Sequence, residues 1–162
     1  MSSIRHPRRT SALGLFLLLL AGGALAHDGG HEPTAFGEPG VAGKAQRTIT
    51  VTMSDAMRFA PAQFAVDVGQ TVRLHVVNQG KLPHEFILGT RAEIDAHSAM
   101  MKMHPGMTHA DASSVTVPAG KSADLLWKFS VPGQFLYACL VPGHFEAGMH
   151  GQVTVAKKAA TP

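Results

Sequence analysis

Residues 139–149 read Cys139-Leu-Val-Pro-Gly-His144-Phe-Glu-Ala-Gly-Met149 and contain the only cysteine of the 162-residue chain. They place one thiolate, one imidazole and one thioether on a single short turn. The two sulfurs are soft donors that suit copper, and imidazole binds either copper state. A lone cysteine can also be an ordinary small core residue. The histidine and the methionine that follow Cys139 favour a metal ligand instead.

The missing second imidazole of such a site has to come from another part of the chain. His84 is the best candidate, because it follows a turn at residues 81–83 and begins an apolar run that ends at Leu88. A residue in this place stands at the end of a sheet, fixed by the strand behind it and open to a ligand in front. Two imidazoles, one thiolate and a weak axial methionine are the ligands of blue-copper sites.

The combination of one distant histidine with the Cys-His-Met turn resembles the cupredoxins, over residues 47–156. The resemblance implies a domain that holds one type 1 copper and cycles it between Cu(I) and Cu(II). In many cupredoxins an Asn follows the first histidine ligand and helps to hold the sulfur, whereas this chain has Glu85. The ligands that the resemblance implies are His84, Cys139, His144 and Met149.

The first 26 residues predict a cleaved signal peptide. A basic segment precedes the apolar run of residues 13–20, and Ala24-Leu25-Ala26 provides a small-x-small cleavage site. A membrane anchor needs about 20 consecutive apolar residues, and glycines interrupt this run. We therefore expect cleavage and a periplasmic protein. The Arg8-Arg9 pair raises the twin-arginine route, but the residues after it match poorly and favour the general secretory route.

Cleavage would remove Arg5, Arg8 and Arg9 and would leave the mature protein without net charge. The 14 Lys plus Arg of the whole chain fall to eleven, which equals the eleven Asp plus Glu. The net charge of the mature protein therefore does not indicate binding to nucleic acid or to an anionic membrane. The remaining length suits one domain, and we expect a monomer.

The mature chain divides into a leader at residues 27–46 and a domain at residues 47–157. The leader is rich in glycine and proline and poor in apolar residues, so we expect it to be flexible. Alternation of apolar and polar residues predicts many short strands, and therefore an all-β, cupredoxin-like Greek-key β-sandwich. The predicted strands are 47–53, 63–68, 72–77, 84–88, 113–117, 122–129, 133–138 and 151–156.

Two parities within these strands predict where side chains point. Phe135, Tyr137 and Cys139 share one parity, so we expect the sulfur to face the core with the two aromatic rings. His75 points away from the face formed by Val72, Leu74 and Val76. We expect it to lie on the surface rather than to bind metal.

Residues 91–110 form an insertion that breaks the β pattern, with a short helix predicted before Pro105-Gly106. The segment is rich in methionine and histidine, whose side chains could hold a second copper loosely. The other interpretation is an apolar cover over the sandwich, which methionine fills well. The candidate ligands of a second copper are Met100, Met101, Met103, His104, Met107 and His109, with His27 and His31 of the leader.

The candidate functions of this chain fall into three classes. The Met/His segment and the leader are similar to the periplasmic cupredoxins of copper tolerance, which favours sequestration or oxidation of Cu(I). The alternative is a one-electron carrier between respiratory partners, for which an apolar surface near His144 would suit brief docking of a redox partner. A copper enzyme needs His-x-His pairs and a second domain, and this chain contains neither. We therefore expect a copper-binding protein that is not an enzyme.

Overall fold

A computed structural model gives the structure of the chain and describes residues 34–103 and 111–157. Within these residues it contains ten strands and one helix. The elements are, in chain order, β1 (Glu38–Pro39), β2 (Arg47–Ser54), β3 (Arg58–Ala60), β4 (Gln63–Asp67), β5 (Thr71–Asn78), β6 (His84–Gly89), α1 (Arg91–Met103), β7 (Ser114–Val117), β8 (Ser122–Lys128), β9 (Gly133–Ala138) and β10 (His150–Ala156).

The strands form two five-stranded sheets. The first has the order β1-β8-β5-β2-β3 and the second the order β4-β10-β9-β6-β7. The pairs β2–β5 and β4–β10 are parallel, and the remaining pairs are antiparallel. The predicted all-β sandwich with one short helix is confirmed, and eight of the ten described strands agree with the predicted ones to within one residue at each end. Strands β1 and β3 were not predicted.

Alternation of apolar and polar residues builds the core between the sheets, as predicted. In β2 the side chains of Ile49, Val51 and Met53 are buried, while the threonines at 48 and 50 are exposed. In β5 the side chains of Val72, Leu74 and Val76 are buried. His75 faces outward, where its Nδ1 lies 2.7 Å from Asp124 Oδ1. The surface position predicted for His75 is therefore confirmed.

Aromatic rings fill the end of the core that leads to the cysteine. Tyr137 stacks on Phe86 with ring centroids 5.2 Å apart, and its hydroxyl donates to the Pro61 carbonyl at 2.7 Å. Phe135, Tyr137 and Cys139 are all buried in one cluster. The shared inward parity predicted for these three residues is confirmed.

The expectation of a flexible leader over residues 27–46 differs from the structure at residues 34–40. Phe36 is buried and stacks on Trp127, with ring centroids 4.9 Å apart. Glu38–Pro39 then pairs with β8 as an edge strand. The average composition of residues 27–46 does not indicate this contact, because a single aromatic side chain is enough to anchor the segment to the domain. Residues 27–33 lie outside the described residues.

Helix α1 begins at a capping box and packs one face on the second sheet. The Glu93 N–H donates to Thr90 Oγ1, and the Thr90 N–H donates back to Glu93 Oε2, which satisfies two backbone donors at the start of the helix. Ile94 packs against Ile87, Ala138 and Leu140. In the part of the chain that the structure describes, no helix has the length and apolar character needed to cross a membrane.

Candidate metal centre

Three predicted ligands meet at one end of the second sheet. His84 is the first residue of β6, Cys139 directly follows β9, and these two strands are antiparallel neighbours. His144 lies in the turn that continues from Cys139. The structure therefore brings a residue from one strand together with two residues that lie 55 and 60 positions further along the chain.

The donor atoms of these three residues face one another. Cys139 Sγ lies 3.3 Å from His144 Nδ1 and 3.9 Å from His84 Nδ1, and the two Nδ1 atoms are 3.2 Å apart. All three side chains are buried. Among the His, Cys, Asp and Glu residues that the structure describes, this is the only group of three or more whose donor atoms lie within 4.8 Å of one another.

Backbone hydrogen bonds close the turn around these ligands. We call residues 139–149 the ligand loop. The Cys139 N–H donates to the Met149 carbonyl at 3.1 Å, and the Met149 N–H donates to the His144 carbonyl at 3.0 Å. Gly143 and Gly148 have φ values of 87° and 96°, a conformation that favours glycine. The chain thus fixes the ligand loop through its own backbone.

Met149, the predicted axial ligand, ends the ligand loop. Its side chain is buried in the same core cluster as Cys139. The backbone bonds of Met149 to Cys139 and His144 hold its Cα beside the other ligands. Its role as a ligand remains a prediction.

The surroundings of the sulfur fit a soft metal cation. Burial raises the pKa of the Cys139 thiol to about 11, opposed by the backbone N–H groups of Glu85 and Val141. The Glu85 N–H donates to Sγ at 3.3 Å, so the backbone supplies this contact although the side chain is not the Asn of many cupredoxins. A buried thiolate requires a compensating cation, and the donor set S, N, N suits copper.

Comparison with known proteins agrees with this chemistry. The model of the copper-binding proteins of the plastocyanin/azurin family matches residues 45–156. The chain belongs to this family. It is a cupredoxin, and its cofactor is copper.

Similar proteins of other bacteria include copper-resistant cuproproteins. The copper-resistant cuproprotein CopI of Rubrivivax gelatinosus is 52% identical over 133 residues, which cover 82% of this chain and 79% of the relative. CopI of Pseudomonas aeruginosa is 36% identical and covers 92% of this chain and 98% of the relative. The solved structure of reduced auracyanin from Roseiflexus castenholzii has a TM-score of 0.60 at 22% identity, covering 69% of this chain and 98% of that one, and supports the fold alone.

The His144 imidazole of this cupredoxin lies in an environment that favours its neutral form. Burial lowers the pKa of His144, and the nearby charge of His84 lowers it further, while Asp55 opposes both effects. A histidine has to be neutral to bind a metal. Both rings turn Nδ1 toward the sulfur, which leaves Nε2 of His84 directed away from the three donors.

Asp55 was missed by the sequence analysis. Its Oδ1 lies 3.3 Å from Nε2 of His84. The backbone N–H of Lys81 is the main group that lowers the pKa of the Asp55 carboxyl. The backbone N–H of Leu82 and the imidazole ring of His84 lower this pKa further, and partial burial opposes them. The contact depends on the parallel pairing of β2 and β5, because Asp55 directly follows β2 and the turn before His84 follows β5 at the same end of the sheet. No local pattern in the sequence indicates it.

The methionines of α1 do not share one environment in this cupredoxin. Met101 is buried and lines a small cavity with Glu85 and His97, whereas the Met103 side chain is 70% exposed. Met100 is partly exposed. Met101 therefore fits the predicted apolar cover, and Met103 is open to solvent. The other candidates for a second copper, His104, Met107, His109, His27 and His31, lie outside the described residues.

Proposed function

We propose that His84, Cys139, His144 and Met149 hold one type 1 copper. The observation that supports this most strongly is the convergence of three buried donor atoms within 4.8 Å. The ligand loop, with its internal backbone bonds, supports Met149 as the fourth ligand. Copper bound by such a set supplies one-electron exchange between Cu(I) and Cu(II) with little rearrangement.

The residues around the site control access to it. Burial of Cys139 and His84 keeps water away from the sulfur, and the Glu85 N–H fixes the position of Sγ. His144 is the ligand with a measurable exposed fraction, 8%. An ion or an electron would therefore reach the site on the side of His144.

The physiological role that we propose is copper tolerance in the periplasm. The protein would be exported, lose residues 1–26, and act as a monomer that sequesters Cu(I). Oxidation of bound Cu(I) to Cu(II) at this site would require a partner protein that accepts the electron. The similarity to the copper-resistant cuproproteins of Rubrivivax gelatinosus and Pseudomonas aeruginosa supports this role, and so does the predicted signal peptide.

We propose a second, weaker copper site at the end of α1 and in the segment that follows. Support comes from the exposed thioether of Met103 and from the density of Met and His in the sequence. Exposed thioethers hold Cu(I) in preference to Cu(II). The proposed ligands are Met100, Met101, Met103, His104, Met107 and His109, with His27 and His31.

A one-electron carrier is the second candidate function. Its supporting observation is apolar surface near His144, where Pro142 is exposed, Phe145 is half-buried and the Leu82 side chain is 46% exposed. A small apolar patch beside a buried redox site suits brief docking with another redox protein.

Growth of a deletion strain separates the two functions. We expect the strain to grow poorly on added copper and to respire normally without it. The wild-type gene should restore tolerance, and a Cys139→Ser gene should not. A respiratory defect at ordinary copper, with unchanged tolerance, would overturn the protective role and favour the electron carrier.

A further inference from the structure

Asp55 lies behind His84, on the side of the ring away from the copper ligands. Nδ1 of His84 faces Cys139 Sγ and His144, while Nε2 lies 3.3 Å from Asp55 Oδ1. A neutral imidazole has one protonated and one unprotonated nitrogen. If Nδ1 is to offer its lone pair, the proton must be on Nε2, from which it can be donated to Asp55.

The turn that follows β5 is shaped around this carboxylate. The Lys81 N–H donates to Oδ2 of Asp55 at 2.8 Å, and the Leu82 N–H donates to Oδ1 at 3.2 Å. Gly80 lies against the same group, and a Cβ at this position would collide with Asp55 Oδ1. The backbone therefore holds the carboxylate in place independently of His84.

We propose that Asp55 is a positioning residue that sets the tautomer and orientation of His84 and strengthens it as a copper ligand. This inference rests on the proposed role of His84 as a ligand. A carboxylate that accepts the second N–H of a ligating histidine raises the basicity of the imidazole. A more basic ligand and a nearby negative charge both stabilise Cu(II) more than Cu(I). Asp55 therefore keeps the reduction potential of the site lower than it would otherwise be.

If Asp55 has only a structural role, its replacement should have a different effect on the protein. If the carboxylate only receives the backbone N–H groups of residues 81 and 82, its loss would lower the stability of the fold. It would not change the relative affinities for Cu(II) and Cu(I) in a consistent direction. The reduction potential of the copper-loaded protein distinguishes these two roles.

The test uses the full mature chain loaded with one copper and the variant Asp55→Asn. Loss of a carboxylate behind a ligating histidine weakens metal binding by about 10- to 100-fold. We expect about tenfold for Cu(II), because the Asp55 side chain is 37% exposed, and a smaller loss for Cu(I). The potential rises by about 59 mV if only the Cu(II) affinity falls tenfold. It rises by less than this if the Cu(I) affinity falls as well. The thiolate-to-copper absorption band should persist.

The chain offers a matched control in Asp124→Asn. Asp124 also pairs with a histidine, His75, at 2.7 Å, and its side chain is likewise 37% exposed. His75 is on the other sheet and is not a proposed ligand. This variant should leave the potential and both copper affinities unchanged.

The variant Gly80→Ala tests the same contact without removing the charge. The added methyl group would displace the carboxylate from its present contact with His84 Nε2, so we expect the potential to rise by less than in Asp55→Asn. If Asp55→Asn fails to fold, the reduction potential of Gly80→Ala still tests whether the contact between Asp55 and His84 affects the copper site. Potentials in both variants equal to that of Asp124→Asn would overturn the role of Asp55. Absence of the absorption band from the wild-type protein would instead overturn the proposed copper site itself.

Discussion

The ligand loop and the end of helix α1 contain the same kinds of donor and hold them differently. In the ligand loop Cys139, His144 and Met149 are buried and tied together by backbone hydrogen bonds. At the end of α1 Met101 is buried by packing, whereas Met103 points to solvent. Residue type alone therefore does not make a fixed metal site. Burial of all three side chains and backbone closure give the ligand loop a single geometry, whereas of Met101 and Met103 at the helix end only Met101 is buried.

The replacement Cys139→Ser should have the largest effect on this difference. It removes the only thiolate, so we expect the visible charge-transfer band and tight copper binding to be lost completely. The β-sheet signal in circular dichroism should remain, because the core is formed by the two sheets. Retention of the full band would show that the ligand loop does not hold the copper.

The replacement Met149→Leu should have an intermediate effect. Removal of a weak axial donor destabilises Cu(II) more than Cu(I), so the site should stay coloured and its reduction potential should rise. Voltammetry of the loaded protein measures the change. An unchanged potential would argue against Met149 as a ligand and would direct attention to His150, whose side chain is exposed in this structure.

Simultaneous replacement of Met100, Met101, Met103 and Met107 by Leu tests the other region. Leu and Met exchange in a core at a cost of under about 1.5 kcal/mol each, so the fold and the visible band should survive. We expect Cu(I) binding to fall from more than one equivalent to one, and copper tolerance to weaken. The buried core residue Met53 supplies the control, since Met53→Leu should leave the stoichiometry unchanged. If the wild-type protein, the fourfold variant and Met53→Leu bind the same number of Cu(I) equivalents, the helix end is only an apolar cover.

The smallest effect is expected at the contact between the two regions. Lys102 of α1 pairs with Glu146 of the ligand loop at 2.7 Å, and both side chains are about half-exposed. Exposed ion pairs contribute about 0–1 kcal/mol. Lys102→Gln should therefore lower the free energy of unfolding by less than about 1 kcal/mol, measured in denaturant, without moving the visible band. A displaced band would mean that α1 helps to set the geometry of the copper site.

Much of the fold was predictable because alternation of apolar residues is a local signal. The buried face of β2 can be predicted from this strand alone, because its apolar residues Ile49, Val51 and Met53 alternate with threonines. The candidate copper ligands were also predictable, because Cys139, His144 and the proposed axial ligand Met149 lie within eleven consecutive residues. His84 was found from its place between a turn and an apolar strand.

The features that sequence reasoning missed depend on contacts between distant segments. Phe36 is the main apolar anchor of a polar stretch, and its importance comes from Trp127, 91 residues further on. Asp55 meets His84 only because two parallel strands end at the same edge. Strand β3 is three residues long, too short for a periodic pattern to be visible. These features follow from the assembled sheets rather than from any single segment.

X-ray absorption at the copper edge tests the central claim most directly, with the mature protein loaded with one equivalent of copper. We expect one short copper–sulfur distance from the Cys139 thiolate together with two imidazole nitrogens, and we expect the sulfur contribution to disappear in Cys139→Ser. A coordination sphere made only of nitrogen and oxygen in the wild-type protein would contradict the assignment of the copper to His84, Cys139 and His144.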